Sequence, residues 1–262
     1  MLKVEDLSVA LSGKSLLSGV SFGARAGQVT AIIGPNGSGK TTLLRALCAE
    51  WRYSGHAALN GHDIRTTRPN VMAKIRAVLA QETQVAFPFT AGEIVRIGLE
   101  AGGHAADEAR AAHLLAEVDL PGYAPRPYHQ LSGGEQARVQ FARALAQVQP
   151  VGEKGPMWLL LDEPLASLDI GHQLLVLRIA RKFADAGGGV VAVMHDLNLT
   201  AMLADQVLLM QSGRLIARGS VPEILSDDLL TKAFHCRIRV NTLPAHGTWT
   251  LPQSSMGWAA AS

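Results

Sequence analysis

The segment VTAIIGPNGSGKTTLLRAL, residues 29–47, constrains the fold of this chain more than any other. A short β-branched run ends at Gly34, a glycine-rich loop follows, and the helical pattern TTLLRALCAEW begins at Thr41. A strand, a glycine loop and a helix in this order are typical of a parallel α/β sheet, because a parallel strand requires a long crossover before the next one. The segment therefore predicts an α/β fold.

Other parts of the chain show strand patterns that fit such a sheet. The first thirty residues alternate in the strand manner, and the tail from Arg237 begins with the strand-like RIRVNTL. Further strand-like runs are HAALNGHDI (56–64), IRAVLAQ (75–81), MWLLLDEP (157–164), VVAVMH (190–195) and QVLLMQSG (206–213). Strands alternating with helices are expected to about Phe234, and the last few residues, within MGWAAAS, are expected to be frayed.

Residues 87–149 have a helical period and few strand signals. Thr90 with Glu93, and Ser132 with Glu135, match the capping box that begins a helix. The run QPVGEKGP (149–156) then breaks the helix, and the strand pattern resumes. We therefore expect a helical insertion within one α/β domain.

Composition excludes several classes of protein. The chain has 262 residues, 48% hydrophobic and 18% charged, with a net charge of +2, so neither disorder nor a polyanion partner is indicated. Two distant cysteines, Cys48 and Cys236, form neither a disulfide framework nor a metal cluster, and the nine histidines have no metal-site spacing. No signal-peptide pattern or membrane-spanning run is present, so we expect a soluble chain that docks onto other proteins if it serves a membrane.

The loop GPNGSGKT, Gly34 to Thr41, matches the phosphate-binding pattern G-x-x-x-x-G-K-[ST] in its required position between strand and helix. Gly37 and Gly39 permit backbone angles that turn successive amides toward a phosphate. Lys40 is then expected to bridge the β- and γ-phosphates, and the Thr41 hydroxyl is expected to ligate Mg²⁺.

Carboxylates and a histidine follow two of the predicted strands. Asp162 ends the apolar run WLLLD, where it can hold Mg²⁺, and the neighbouring Glu163 can polarise a water. His195 follows the strand VVAVM and would lie at the carboxyl edge of the sheet, where α/β ligands gather. It could hydrogen-bond a γ-phosphate.

A second glycine turn, LSGGEQ (131–136), opens the helical run ARVQFARAL. Free amides and the positive end of the helix dipole make such a turn an anion site. Val139, Phe141, Ala142 and Leu145 are expected to pack inward. Because the chain already has a phosphate loop, the second turn requires another explanation.

The set GPNGSGKT, Gln81 in VLAQ, LSGGEQ, LLLDEP, SLD and His195, in this order, resembles the ATP-binding subunit of ABC (ATP-binding cassette) transporters over about residues 1–236. The resemblance implies a P-loop NTPase with a RecA-like parallel or mixed sheet, an N-terminal antiparallel β subdomain and an inserted helical subdomain. The expected divisions are 1–236 for the ATPase domain, about 87–149 for the insertion, and 237–262 for a short extension.

The resemblance also implies roles for individual residues, with ATP and Mg²⁺ as ligands. The catalytic residues would be Glu163 as general base, His195 as switch histidine, Gln81 as lid glutamine, and Lys40. Thr41, Gln81 and Asp162 would hold Mg²⁺. The ATP-binding Walker A residues would be Gly34, Pro35, Asn36, Gly37, Ser38, Gly39, Lys40, Thr41 and Thr42. The D-loop would be Ser167, Leu168 and Asp169. The signature residues would be Leu131, Ser132, Gly133, Gly134, Glu135 and Gln136.

In this family two cassettes pair head to tail, so the signature turn would complete the site on a second copy of the chain. One departure concerns adenine, which the family stacks on an aromatic residue near position 11. Leu11 stands there, and an aliphatic side chain loses the ~1–3 kcal/mol of an aromatic stack. The departure affects base selectivity and leaves the phosphate chemistry intact.

Within the family, QETQVAFPFTAGEIVRIG (81–98), the break at 149–156, LDIGHQ (168–173) and the run from His195 to Leu215 look most like haemin-import ATPases. Ferric siderophore and cobalamin remain alternative cargoes, and a soluble ATPase acting on DNA or ribosomes is a distant one. The implied partners are transmembrane permease subunits at the cytoplasmic face of the inner membrane and, indirectly, a substrate-binding protein, with no nucleic acid. Phe87 and Phe89 are expected either to meet the permease or to pack in the helical insertion.

Overall fold

A computed structural model describes residues 1–81, 87–148, 151–152, 155–244 and 246–254, and the predicted frayed end at 256–262 lies outside them. Within this part the strands form a large central sheet, a smaller N-terminal sheet and a short hairpin. The strands are β1 Leu2–Leu11, β2 Lys14–Ala24, β3 Val29–Ile33, β4 Ser54–Leu59, β5 His62–Asp63, β6 Arg76–Leu79, β7 Val151–Gly152, β8 Gly155–Pro156, β9 Trp158–Asp162, β10 Gly189–Val193, β11 Gln206–Gln211 and β12 Arg214–Gly219.

The central sheet has the strand order β12-β11-β3-β10-β9-β6. Its strands are parallel from β11 to β6, and β12 pairs antiparallel with β11 at one edge. β3, β9 and β10 are buried along their whole length, as expected for parallel strands covered on both faces. The predicted α/β fold is confirmed. The N-terminal strands form a separate antiparallel sheet in the order β2-β1-β4-β5.

The helices cover the central sheet and form the helical insertion. No helix in the described ranges is long and apolar enough to cross a bilayer. The helices are α1 Lys40–Leu47, α2 Pro69–Met72, α3 Ala91–Gly102, α4 Glu108–Glu117, α5 Gly133–Gln147, α6 Ile170–Asp185, α7 Leu197–Leu203, α8 Val221–Ile224 and α9 Asp227–Phe234, with 3₁₀ turns at Tyr128–Gln130 and Pro252–Ser254.

The first helix is shorter than its sequence pattern predicts. It ends at Leu47 instead of continuing to Trp51, and Ala49 adopts a left-handed conformation with φ 63°. The buried Arg76 guanidinium, from the start of β6, donates hydrogen bonds to the carbonyls of Leu47 and Cys48. Because these bonds satisfy carbonyls at the helix end, the chain can leave the helix there without an unpaired polar group.

Both predicted capping boxes are confirmed, at Thr90–Glu93 for α3 and at Ser132–Glu135 for α5. α3, α4 and α5 pack against one another, and their apolar side chains join those of the central sheet in one continuous core. The expected inward packing of α5 is confirmed, since Val139, Phe141, Ala142 and Leu145 are all buried. The helical insertion and the central sheet therefore share a hydrophobic core.

α3 and α5 cross closely at two glycines of α3. A Cβ atom on Gly98 would overlap the carbonyl oxygen of Arg143, and one on Gly102 would overlap that of Gln147. Both obstacles are backbone atoms of α5, so a side chain can be accommodated only if the helices separate. The two glycines thus set the distance between α3 and α5.

Gly98→Ala is therefore expected to destabilise the protein by about 1–3 kcal/mol, the usual cost of forcing an extra carbon into a packed site. The measurement is the urea unfolding midpoint at fixed pH. Gly133→Ala is the control for stability, since its Cβ would meet no atom within 4 Å. An unchanged midpoint for Gly98→Ala would mean that the crossing is loose.

The predicted strand in RIRVNTL (237–243) is wrong, because the chain is irregular there. Its backbone donors bind side chains of α9 in place of a neighbouring strand: the Ile238 amide donates to Thr231 Oγ1 at 3.1 Å, and the Val240 amide to Asp227 Oδ1 at 2.8 Å. Ile238 and Val240 pack against the core, which explains the alternation of apolar residues.

Candidate functional site

The predicted site residues converge at the carboxyl edge of the central sheet. β3 leads through the glycine loop into α1, and β9 ends at Asp162. His195 follows the end of β10, and Gln81 follows the end of β6. Because the carboxyl ends of parallel strands meet at one edge, segments that are far apart in sequence come together there.

The glycine loop has the geometry of an anion cradle. Gly37 and Gly39 have φ of 75° and 99°, in the left-handed region that glycine adopts without strain. A Cβ on Gly34 would overlap the carbonyl oxygen of Met210, so only glycine fits beside β11. Ser38 Oγ is buried without a hydrogen-bond partner among the described residues. A phosphate oxygen would give this hydroxyl the partner that the loop does not provide.

Lys40 points back into the loop. Its ammonium donates to the carbonyl oxygens of Gly34 at 2.9 Å and Pro35 at 3.2 Å, and the residue is 5% exposed. Burial lowers the pKa of Lys40, while the charges of Glu163 and Asp162 act in the opposite direction. Among the described residues, the hydrogen bonds of this buried ammonium go to carbonyl oxygens of the glycine loop, an arrangement that fits a bound phosphate.

Thr41 and Asp162 lie next to each other behind the loop. The Thr41 hydroxyl donates to Asp162 Oδ1 at 3.2 Å, and Asp162 is 3% exposed. Burial raises the pKa of the Asp162 carboxyl, and the Thr41 hydrogen bond partly offsets this. A hydroxyl paired with a desolvated carboxylate provides the oxygen ligands that Mg²⁺ prefers, so these residues fit the cation assigned to them from the sequence.

Glu163 contacts two of the other predicted catalytic side chains, Gln81 and His195. Its Oε2 accepts a hydrogen bond from Gln81 Nε2 at 2.9 Å, and its Oε1 lies 2.5 Å from His195 Nε2. Glu163 has φ 52°, an uncommon conformation for a residue with a side chain. Strained backbone of this kind persists where the surroundings fix it, and it concentrates at functional sites.

The second glycine turn is held in shape by an acidic residue. The Ser132 hydroxyl and amide both donate to Glu135 Oε2 at 2.8 Å, and the Tyr123 hydroxyl donates to Glu135 Oε1 at 2.7 Å. The Tyr123 and Ser132 hydrogen bonds lower the pKa of Glu135 to about 2. The first turn of α5 is thereby fixed, with its glycine amides at the N-terminal end of the helix.

The two glycines of this turn have different surroundings. A Cβ on Gly133 would meet no atom within 4 Å, whereas one on Gly134 would lie 3.2 Å from the carbonyl oxygen of Ser167. Gly133 also borders a cleft of about 150 Å³ together with Gln81 and Glu163. Among the described residues, no hydrogen bond joins 131–136 to the glycine loop 34–42.

Sequence reasoning missed a connection between α5 and the strand that leads to Gln81. The side chains of Arg143 and Gln147, one helical turn apart, donate to the carbonyl oxygens of Val78 at 2.7 Å and Arg76 at 2.9 Å on the outer edge of β6. Residues four apart on a helix are separated by about 6 Å along its axis, and residues two apart on a strand by about 6.6 Å. The spacing of the two donors on α5 therefore matches the spacing of the two carbonyls on β6. The helix after the second glycine turn is thus fastened at two points to the strand before Gln81.

Three further predicted positions lie away from these contacts. Leu11, at the end of β1, is 50% exposed and free to cover a flat ligand face. Phe87 is 70% exposed, whereas Phe89 is partly buried against the core, and their ring centroids are 6.0 Å apart. Phe89 therefore matches the packing interpretation, and Phe87 remains open to a partner.

Comparisons with known proteins agree with this geometry. A family model described as ABC transporter matches residues 17–166. A protein of Mesorhizobium japonicum named "Hemin import ATP-binding protein HmuV" is 54% identical over 262 residues, which cover 98% of this chain and 100% of the relative.

Solved structures share the fold. One described as the ATP-binding subunit of an ABC transporter superposes with a TM-score of 0.77 at 24% identity, covering 90% of this chain and 94% of that one. A dimeric ATP-binding cassette in a post-hydrolysis state, bound to ADP and Pi, has a TM-score of 0.74 at 24% identity, covering 84% of this chain and 99% of that one.

Proposed function

We propose that this chain, which belongs to the ABC transporter family of ATP-binding proteins, hydrolyses ATP to energise the import of haemin. The observation that carries the choice of cargo is the similarity to the Mesorhizobium hemin import protein, at 54% identity along almost the whole chain. The observation that carries the chemistry is the convergence of the glycine loop, Asp162, Glu163, Gln81 and His195 at one sheet edge.

The glycine loop 34–42 binds the phosphates of ATP. Its amides and the N-terminus of α1 accept the negative charge, and Lys40 turns from the Gly34 and Pro35 carbonyls toward the β- and γ-phosphates. Mg²⁺, held through Thr41, Asp162 and Gln81, would supply neutralisation of the phosphate oxygens. Leu11 covers the adenine without the aromatic stack that the family uses.

Glu163 acts as the general base. Its carboxylate takes a proton from a water whose oxygen attacks the γ-phosphorus, the bond to the bridging oxygen breaks, and ADP and phosphate leave. Gln81 and His195 hold the two carboxylate oxygens and so aim Glu163. His195 also hydrogen-bonds the γ-phosphate and thereby links the base to the presence of the substrate.

ABC cassettes dimerise, and a second copy of this chain would complete each site. The Ser132 hydroxyl and the amides of Gly133 and Gly134 contact the γ-phosphate on the other copy, as the open surroundings of Gly133 permit. The head-to-tail arrangement explains why one chain has two anion turns with no hydrogen bond between them in the described part. ATP then closes the dimer, and hydrolysis opens it.

The partners follow from the role of a transporter subunit. The chain binds permease subunits at the cytoplasmic face of the inner membrane, with the exposed Phe87 as one apolar contact. A substrate-binding protein delivers the cargo to the permease, so haemin does not touch this chain. No nucleic acid is involved, in keeping with the net charge of +2.

The cargo is tested by co-purifying the chain with its permease and measuring ATPase activity with different loaded binding proteins. Stimulation by a haem-loaded carrier, and not by ferric siderophore or cobalamin carriers, is the expected result. The reverse pattern would contradict haemin as cargo and leave the ATPase assignment intact. Activity that required DNA or ribosomes would contradict both.

A further inference from the structure

His172, on the first turn of α6, lies between two carboxylates from different parts of the fold. Its Nδ1 is 2.8 Å from Asp169 Oδ2, and its Nε2 is 3.3 Å from Asp119 Oδ2. Asp169 caps α6 by accepting a hydrogen bond from the His172 amide at 2.9 Å. Asp119 follows α4 in the helical insertion. One imidazole therefore spans the gap between the central domain and the insertion.

Asp119 is itself joined to the helix that carries the signature turn. Arg138 of α5 is 7% exposed, and it donates to the carbonyl oxygens of Val118 at 3.0 Å and Asp119 at 2.8 Å. Its guanidinium is also 3.6 Å from the Asp119 carboxylate. The imidazole is thus linked through Asp119 to α5. A shift of the helical insertion would therefore change the distance between Asp119 and His172.

Ser167, two residues before Asp169, borders the cleft that contains Glu163. Gly133 and Gln136 of α5 border the same cleft. The Ser167 carbonyl also approaches the Gly134 position closely. The segment 167–169 therefore meets the helical insertion at two places, near Gly134 and through His172.

We propose that His172 is a positioning residue that ties the segment 167–169 to the helical insertion while its imidazole is protonated. The proposal rests on the proposed ATPase function, because His172 would fix the position of α5, which carries the signature turn, relative to Glu163. His172 touches neither substrate nor the reacting atoms.

The charge requirement follows from the geometry. Both ring nitrogens face carboxylate oxygens, and only the imidazolium has a hydrogen on each nitrogen. After loss of a proton, one nitrogen lone pair points at a carboxylate, so one of the two contacts becomes repulsive. Loss of that proton therefore weakens the bridge, and histidine side chains in general change their charge between about pH 5 and 8.

Three charged groups surround His172 in the described part of the chain. They are Asp169 on its own turn, Asp119 from the insertion, and Arg138 behind Asp119. Hydrogen bonds from the His172 amide and ring lower the pKa of Asp169, so this carboxylate stays ionised throughout the range. Asp119 is 67% exposed, so salt screens the bridge and a moderate effect is expected.

The test compares kcat for ATP in the full-length chain and in His172→Gln between pH 6 and pH 8.5. Taking the ratio of wild type to variant cancels the titration of the catalytic groups that the two proteins share. The ratio is expected to be about two- to fivefold at pH 6 and to approach one at pH 8.5, with the Kd for ATP unchanged. Asp119→Asn should reproduce this loss, and combining it with His172→Gln should add little.

His113→Gln is the matched control, because His113 also pairs with a carboxylate, Glu117 at 3.2 Å, but within one exposed helix. Its ratio should stay near one at every pH. A ratio for His172→Gln that does not vary with pH, whatever its size, would overturn the proposal.

If the wild type hydrolysed no ATP, the proposed function would fail and urea unfolding would still decide the bridge. A midpoint difference between wild type and His172→Gln that is larger at pH 6 than at pH 8.5 supports it, and a constant difference overturns it.

Discussion

Replacement of Glu163 by glutamine is expected to lower kcat for ATP about 10²–10⁴-fold, the range that general-base catalysis contributes. Glutamine has nearly the same shape, so it can still accept a hydrogen bond from Gln81, and ATP binding at the glycine loop is left intact. It cannot take the proton of the attacking water. Phosphate release in steady state and equilibrium binding of a fluorescent ATP analogue measure the two properties separately.

Glu108→Gln is the matched control for this change, since Glu108 is an exposed carboxylate of the helical insertion paired with Arg96. It should leave kcat and affinity unchanged. Hydrolysis by Glu163→Gln at the wild-type rate would remove Glu163 as the base and leave the short contact with His195 without a catalytic meaning.

Replacement of Gly133 by alanine is expected to suppress hydrolysis at least 10²-fold while ATP affinity of the monomer stays close to normal. The new Cβ has open space in the single chain, so the fold and the glycine loop should be unaffected. In the closed dimer it would lie where the γ-phosphate of the other copy meets the turn. The added methyl group would hold this phosphate away from the backbone amides of the turn, and loss of one such hydrogen bond at a developing charge costs a rate factor of this order.

A comparison of two serine variants separates the loss of turnover from a loss of helix stability. Ser132→Ala and Ser220→Ala each remove a capping-box serine whose hydroxyl donates to a glutamate at 2.8 Å, and each should cost about 1 kcal/mol. Only Ser132→Ala should lose turnover. A parallel fall of affinity and rate in the Gly133 or Ser132 variants would contradict a contact made on the other copy.

The sequence was sufficient wherever local chemistry determines structure. The glycine loop, the buried strand ending at Asp162 and both capping boxes were predicted because short-range backbone geometry fixes them. Glu163 and His195 were placed near the phosphates from their positions after predicted strands, whereas Gln81 could be added only through the family resemblance, since β6 brings it to them over a long separation. The packing of Phe89 against the core was one of two interpretations that the sequence left open.

Long-range contacts of polar side chains were beyond the sequence. Arg143 on the edge of β6, Tyr123 on Glu135 and His172 between two carboxylates each depend on where a distant element lies. The periodicity of a helix predicts which residues face inward. It does not predict which carbonyl oxygen an inward-facing arginine will bind. The strand predicted in the tail is wrong for a related reason, because side chains of α9 accept the hydrogen bonds of its backbone amides in place of a neighbouring strand.

In the proposed mechanism, two copies of this chain share each ATP site. The most direct test is the mass in solution of Glu163→Gln, with and without ATP, beside the double variant Glu163→Gln with Gly133→Ala. Glu163→Gln should double from the 27.8 kDa monomer when ATP is added, and the double variant should bind ATP and remain a monomer. A Glu163→Gln chain that stays monomeric with ATP bound, or a double variant that pairs equally well, would contradict a site shared between two copies.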